Sequence, residues 1–214
     1  LLIYNKEADK NFSYSDTLSE IANNFSMTKY VLHGGETSRQ SPDNKKFFSE
    51  ITSSLSDGAT ILCVYFAREK ERWPKALEQD KIHFSSAAQQ KVFKFVLADD
   101  KTYTLKDQIK HADAIYLRGG DTEMLKRALS EVENLSELWQ GKVVAASSAG
   151  VYVLSTYYYT NSKDDIHKGF GILPIKTFCH YAEEKSDKLE KLKKFGEDLK
   201  VYAIPEEKFF IIKQ

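Results

Sequence analysis

Apolar residues gather into short runs separated by longer charged stretches. The runs at 29–33, 60–66, 92–97, 114–117 and 142–146 read as strands, and the first is halted by Gly34 and Gly35. Between them lie charged segments compatible with helices, such as 44–55 and 122–138. Strands alternating with helices predict a mostly parallel sheet covered by helices. Farther on, Leu189, Leu192, Phe195 and Leu199 fall at helical intervals within 183–199. After them, 201–204 and 209–212 flank Pro205-Glu206-Glu207 in the manner of a terminal hairpin. Residues 1–26 differ from the rest: they are polar, rich in Asn and Ser, and carry only a weak helical spacing in Leu18, Ile21, Ala22 and Phe25. They are expected to form an appendage to a folded domain spanning 27–214. No internal repeat or low-complexity tract interrupts this organisation.

Composition narrows the function classes. With 214 residues and 42% hydrophobic content the chain can bury one sizeable core. Lys plus Arg and Asp plus Glu both number 31, so no basic field invites nucleic acid or an anionic membrane, and the expected partner is a small or peptidic molecule. The two cysteines, Cys63 and Cys179, form neither a disulfide framework nor a metal-ligand spacing. No apolar stretch approaches the ~20 residues needed to span a bilayer. The expectation is a cytoplasmic protein without metal or cofactor.

The chemistry concentrates in Val143-Val-Ala-Ala-Ser-Ser-Ala-Gly150, an apolar strand running through small residues into a helix-compatible stretch near Val151. A nucleophile elbow needs this composition, because its central residue has a strained backbone and its neighbours pack too closely for larger side chains. Counting back from Gly150 places Ser148 at the centre, with Ala146 where the G-x-S-x-G pattern has its first glycine. The amide of Ala149 and the start of the following helix then face a developing oxyanion. A tight turn of purely structural purpose accommodates Ser-Ala-Gly equally well. After the strand at 114–117 comes Arg118-Gly-Gly-Asp-Thr122, whose glycines let backbone amides approach a ligand, or which simply connects strand to helix with Asp121 or Thr122 as cap. Downstream, Gly169-Phe-Gly-Ile-Leu-Pro174 leads to Cys179-His180-Tyr181. The other histidines, His33, His83, His111 and His167, read as structural or exposed.

Taken in order, Gly119-Gly-Asp-Thr122, Ser148-Ala-Gly150, Gly169 to Pro174 and His180-Tyr181 resemble the dipeptidase E and cyanophycinase family of serine peptidases. The resemblance runs from about Met27 to the end. It implies a three-layer α/β/α sandwich like the class I glutamine amidotransferase domain, with serine at the elbow in place of cysteine. It implies hydrolysis of peptide or isopeptide bonds in short peptides without a cofactor, often beside an aspartyl residue. By position, Ser148 would be the nucleophile, His180 the general base, and the amides of Gly120 (or Gly119) and Ala149 the oxyanion hole.

Two departures qualify the match. Where the family has an acidic residue to orient the histidine, this sequence reads Thr160-Asn-Ser162, so Asn161 aligns, with Asp164 or Asp165 as substitutes if the loop is shifted. An asparagine orients an imidazole but cannot balance an imidazolium with full charge, which implies weakened catalysis. Where aspartyl-specific members carry an arginine after the histidine, this chain has Lys185 and Lys188, either a carboxylate-attracting pair or a solvated helix face. Lys185, Asp121 and Thr122 are the candidates for substrate contacts. An esterase or amidase, and a binding protein that has lost competent catalysis, remain alternatives, and the residues leave open whether Glu206 reaches the cleft.

Overall fold

The computed structural model describes residues 27–88 and 90–214. The expected appendage at 1–26 lies outside them.

Each short apolar run becomes a strand because its side chains are covered on both faces. β1 (Lys29–His33), β2 (Thr60–Val64), β4 (Ala114–Leu117) and β5 (Val143–Ser147) are buried almost throughout, while β3 (Lys94–Leu97) at the sheet edge is partly exposed. With β10 (Phe209–Lys213) they form a six-stranded sheet in the order β10-β1-β5-β4-β2-β3. All neighbours are parallel except β10, which runs antiparallel to β1. The connecting helices are α1 (Pro42–Ser53), α2 (Trp73–Ala87), α3 (Thr102–His111), α4 (Thr122–Ser130) and α5 (Leu135–Leu138).

Chain order across the sheet fixes the layers. The steps β1 to β2 and β2 to β3 move one way, whereas β3 to β4 and β4 to β5 move back. Because parallel crossovers are right-handed, α1 and α2 cover one face and α3, α4 and α5 the other. Accordingly α1 packs on α2, and α3 on α5. The expected three-layer arrangement is present. Phe47 and Phe48 of α1, Phe84 of α2 and Tyr116 of β4 form an aromatic cluster on the first face.

A second sheet was not foreseen. β6 (Ser155–Thr160), β7 (Asp165–Lys168), β8 (Leu173–Cys179) and β9 (Lys200–Ile204) pair in the order β7-β6-β8-β9. Tyr157, Tyr158 and Tyr159 therefore lie on a strand, and Tyr157 and Tyr159 cluster with Phe178 and with Leu192 of α7 (Ser186–Lys194). The terminal hairpin is also corrected: β9 pairs with β8 and β10 with β1, so the two strands belong to different sheets. Pro205 to Lys208 carry the chain between them, packed so closely on β1 that a Cβ at Gly34 would stand 2.0 Å from the Pro205 carbonyl. The expected helix at 122–138 breaks into α4 and α5 around Asn134, which adopts a left-handed conformation. No helix among the described residues is long and apolar enough to cross a membrane.

Candidate active site

The carboxyl ends of β1, β5 and β4 lie side by side, and connections leave β1 and β4 toward opposite faces of the sheet. Such a switch point opens a crevice beyond the strand ends.

Ser148 stands at its centre. β5 ends at Ser147, and α6 (Ala149–Leu154) begins two residues later. Between them Ser148 takes φ 47° and ψ −105°, a conformation that costs ~1–3 kcal/mol and persists only when its surroundings enforce it. Here they do: the Ser148 amide donates to the His33 carbonyl at 3.0 Å, and its carbonyl accepts from Tyr152 at 3.0 Å. A Cβ at Gly150 would lie 2.6 Å from the Leu117 carbonyl, so the small residue read from the sequence is what lets α6 press onto β4.

His180 follows β8 directly, also at positive φ (53°), with its amide donating to the Gly34 carbonyl at 3.0 Å. Its ring lies over Gly35, where any Cβ would stand 2.1 Å from Cε1. The imidazole Nε2 is 2.9 Å from Ser148 Oγ, and Nδ1 is 3.1 Å from Glu206 Oε1. A carboxylate only accepts hydrogen bonds, so Nδ1 carries the proton and Nε2 is free to accept from the serine hydroxyl. The second Glu206 oxygen meets Arg39 Nη1 at 3.2 Å.

The β1 turn that supports the ring is itself held by a buried histidine. His33 Nε2 donates to Asn44 Oδ1 at 2.9 Å, and Nδ1 accepts from the Gly35 amide at 3.0 Å. Burial pushes His33 down to about 4, against the opposing effect of its Asn44 bond, so the ring is neutral and can fill both roles.

Several expectations are corrected by these placements. Asn161 does not face the ring: its Nδ2 donates to the His180 main-chain carbonyl at 3.3 Å, because β6 brings it alongside the strand end and not the imidazole. Asp164 is turned away toward the Tyr159 hydroxyl and Lys188, and Asp165 toward Lys191. Lys185 reaches back to the His180 carbonyl at 3.5 Å, and Lys188 is occupied by Asp164. Asp121 is the N-cap of α4, accepting from the Met124 amide at 2.9 Å, and it lines the cleft together with Thr122. Glu206, whose reach the sequence left open, supplies the contact sought at Asn161. No spacing rule signals it, because it arrives through a crossing between two sheets.

The glycine loop lies against the elbow. A Cβ on Gly119 would be 3.1 Å from Ser148 Cβ, and one on Gly120 would be 2.2 Å from the Ala67 carbonyl. The amides of Gly119, Gly120 and Ala149 have no hydrogen-bond partner among the described residues. A cleft of about 470 Å³ opens beside Ser148 and His180, with Glu123, Tyr158 and Lys163 among its walls. Among the described residues no three His, Cys, Asp or Glu side chains converge as a metal-ligand set.

The arrangement joins a hydroxyl, a base and a carboxylate in line, beside unpartnered amides, as acyl transfer requires. The sequence matches the family model described as peptidase family S51 over residues 30–214. No curated protein matches it. Among solved structures, a peptidase from an acI-B1 Actinobacterium superposes with a TM-score of 0.61 at 19% identity, covering 88% of this chain and 84% of that one. A protein described as a peptidase E from Listeria monocytogenes EGD-e gives a TM-score of 0.61 at 18% identity, covering 88% of this chain and 98% of its own.

Proposed function

The chain belongs to peptidase family S51 and is a serine-type peptidase, and from that premise we propose that it cleaves short peptides through an acyl-enzyme on Ser148. The observation carrying this reading is the continuous line of contacts from Ser148 Oγ through His180 to Glu206.

Ser148 Oγ attacks the peptide carbonyl carbon while its proton passes to His180 Nε2. The carbonyl oxygen gains negative charge and takes hydrogen bonds from the Ala149 and Gly120 amides, donors fixed before the charge forms. Glu206 holds the Nδ1 proton and balances the imidazolium. The tetrahedral intermediate collapses, the C–N bond breaks, and the amine departs with the proton from Nε2. Water then attacks the ester with the same base, returning Ser148 and releasing the acid. With Glu206 in this role, the imidazolium has beside it the full negative charge that an asparagine could not supply. A cleft of about 470 Å³ suits a ligand of a few residues.

A panel of di- and tripeptides, with and without acidic residues, tests the assignment by mass-spectrometric detection of released amino acids. Cleavage is expected in wild type and is lost in Ser148→Ala. A folded protein that hydrolyses activated esters but none of the peptides would place it with the esterases instead.

A further inference from the structure

Between two fixed ends, the glycine loop contains one peptide unit that could turn over. On the upstream side, the Arg118 amide donates to the Val64 carbonyl at 3.2 Å. Its buried guanidinium is clamped to α2 through the Ala76 carbonyl at 2.8 Å, Gln79 at 3.0 Å and Asp80 at 3.1 Å. Downstream, the Asp121 amide donates to the Ala67 carbonyl at 2.8 Å. The peptide joining Gly119 to Gly120 has no Cβ on either side, so sterics alone give it little preference between its two orientations. One orientation presents the Gly120 N–H to the oxyanion; the other presents the Gly119 carbonyl oxygen, which repels it.

Among the described residues a single hydrogen bond holds this peptide, from Arg68 Nε to the Gly119 carbonyl at 2.9 Å. In a planar trans peptide the C=O and the following N–H point in opposite directions, so holding the Gly119 oxygen aims the Gly120 N–H the other way. Arg68 is itself anchored: its amide donates to the Tyr65 carbonyl at 2.9 Å, and its carbonyl accepts from Trp73 Nε1 at 2.8 Å. We propose that Arg68 is the positioning residue of the oxyanion hole, locking the Gly119–Gly120 peptide so that its N–H is presented to the substrate. The inference rests on the reading of Ser148 as nucleophile. Arg68 also borders a second cavity of about 220 Å³ shared with Ser148 and His180, so its test must separate peptide positioning from attraction of an anionic substrate.

Two substitutions make that separation. Glutamine places an amide nitrogen where arginine has Nε, keeping the donor and removing the charge; methionine places a methyl carbon there and removes both. The probe is an uncharged alkyl fluorophosphonate, whose phosphoryl oxygen must occupy the oxyanion site. Saturation kinetics give kinact and KI, and thermal unfolding reports integrity. Arg68→Met is expected to lower kinact by about 100-fold, the scale of one lost oxyanion donor, with KI within about threefold of wild type. Arg68→Gln is expected to keep kinact within about fivefold, because only the donor matters to this probe. An unchanged kinact in Arg68→Met, a fall in Arg68→Gln as deep as that in Arg68→Met, or a change confined to KI would each overturn the proposal. Should Arg68→Met not fold, Arg68→Leu, which also removes both donor and charge, takes its place: a fall of about 100-fold in kinact supports the proposal and an unchanged kinact overturns it. Wild-type protein left unlabelled would sink the Ser148 reading together with this one, and that result is seen before any Arg68 variant is made.

Discussion

At the scale of the residue, the central contrast is between Glu206 and Asn161. Glu206 meets the imidazole ring, whereas Asn161 meets only the main chain behind it. Glu206→Gln should therefore lower kcat by about 10³-fold, somewhat less than the ~10⁴ seen when a buried triad carboxylate is neutralised, since this side chain is 41% exposed. Asn161→Ala should change kcat by less than about threefold; the reverse ranking in steady-state kinetics would return the role to Asn161. Gly35 offers a second test. A methyl group there would overlap the His180 ring, so Gly35→Ala should displace the base and cost about 10²-fold in kcat, while peptide binding measured on a Ser148→Ala background is little changed. Ser148 was legible because an elbow demands small residues at fixed spacing. His180 was legible only through its company, and Glu206 was not, since its nearness to the ring depends on a chain crossing that leaves no local pattern.

At the scale of the element, caps and strand partners decide what the sequence could reveal. Asp121 caps α4 as one of its two expected uses, and Asp121→Ala should cost about 1 kcal/mol of stability, read as a shift in the urea midpoint at unchanged slope. A midpoint within error of wild type would show that the cap contributes nothing. The strands of the central sheet were readable from apolar runs because both faces are covered. The second sheet was not: Ser155 to Thr160 carries three consecutive tyrosines, and a short aromatic run reads as strand, helix or loop alike. Nor could the run at 201–212 disclose that its halves pair with different sheets, because a tight turn between two apolar segments is also the local signature of a hairpin.

At the scale of the whole molecule, pH links the site to the stability of the fold. The folded protein holds His33 neutral, with its pKa pushed down to about 4 by burial, against 6.5 for an ordinary histidine. As pH falls through 6.5 the unfolded chain takes up a proton that the folded one refuses, so this contribution is complete above 6.5 and lost progressively down to about 4. It amounts to something on the order of 3 kcal/mol. Asp80 works in the opposite sense, because burial pushes it up to about 6 against the opposing charge of Arg118, and its contribution falls as pH rises toward that value. The informative quantity is therefore the difference between wild type and His33→Gln in urea unfolding from pH 7 to pH 4.5. It should shrink as the pH drops, and a constant difference would show that His33 is not held neutral. All these elements converge on one hydroxyl at the mouth of the central sheet, and the most direct test is intact-mass analysis after treatment with a fluorophosphonate. The account predicts one adduct per chain, mapped by peptide sequencing to Ser148 and absent from folded Ser148→Ala. A folded wild type that gains no mass, or an adduct on another residue, would contradict it.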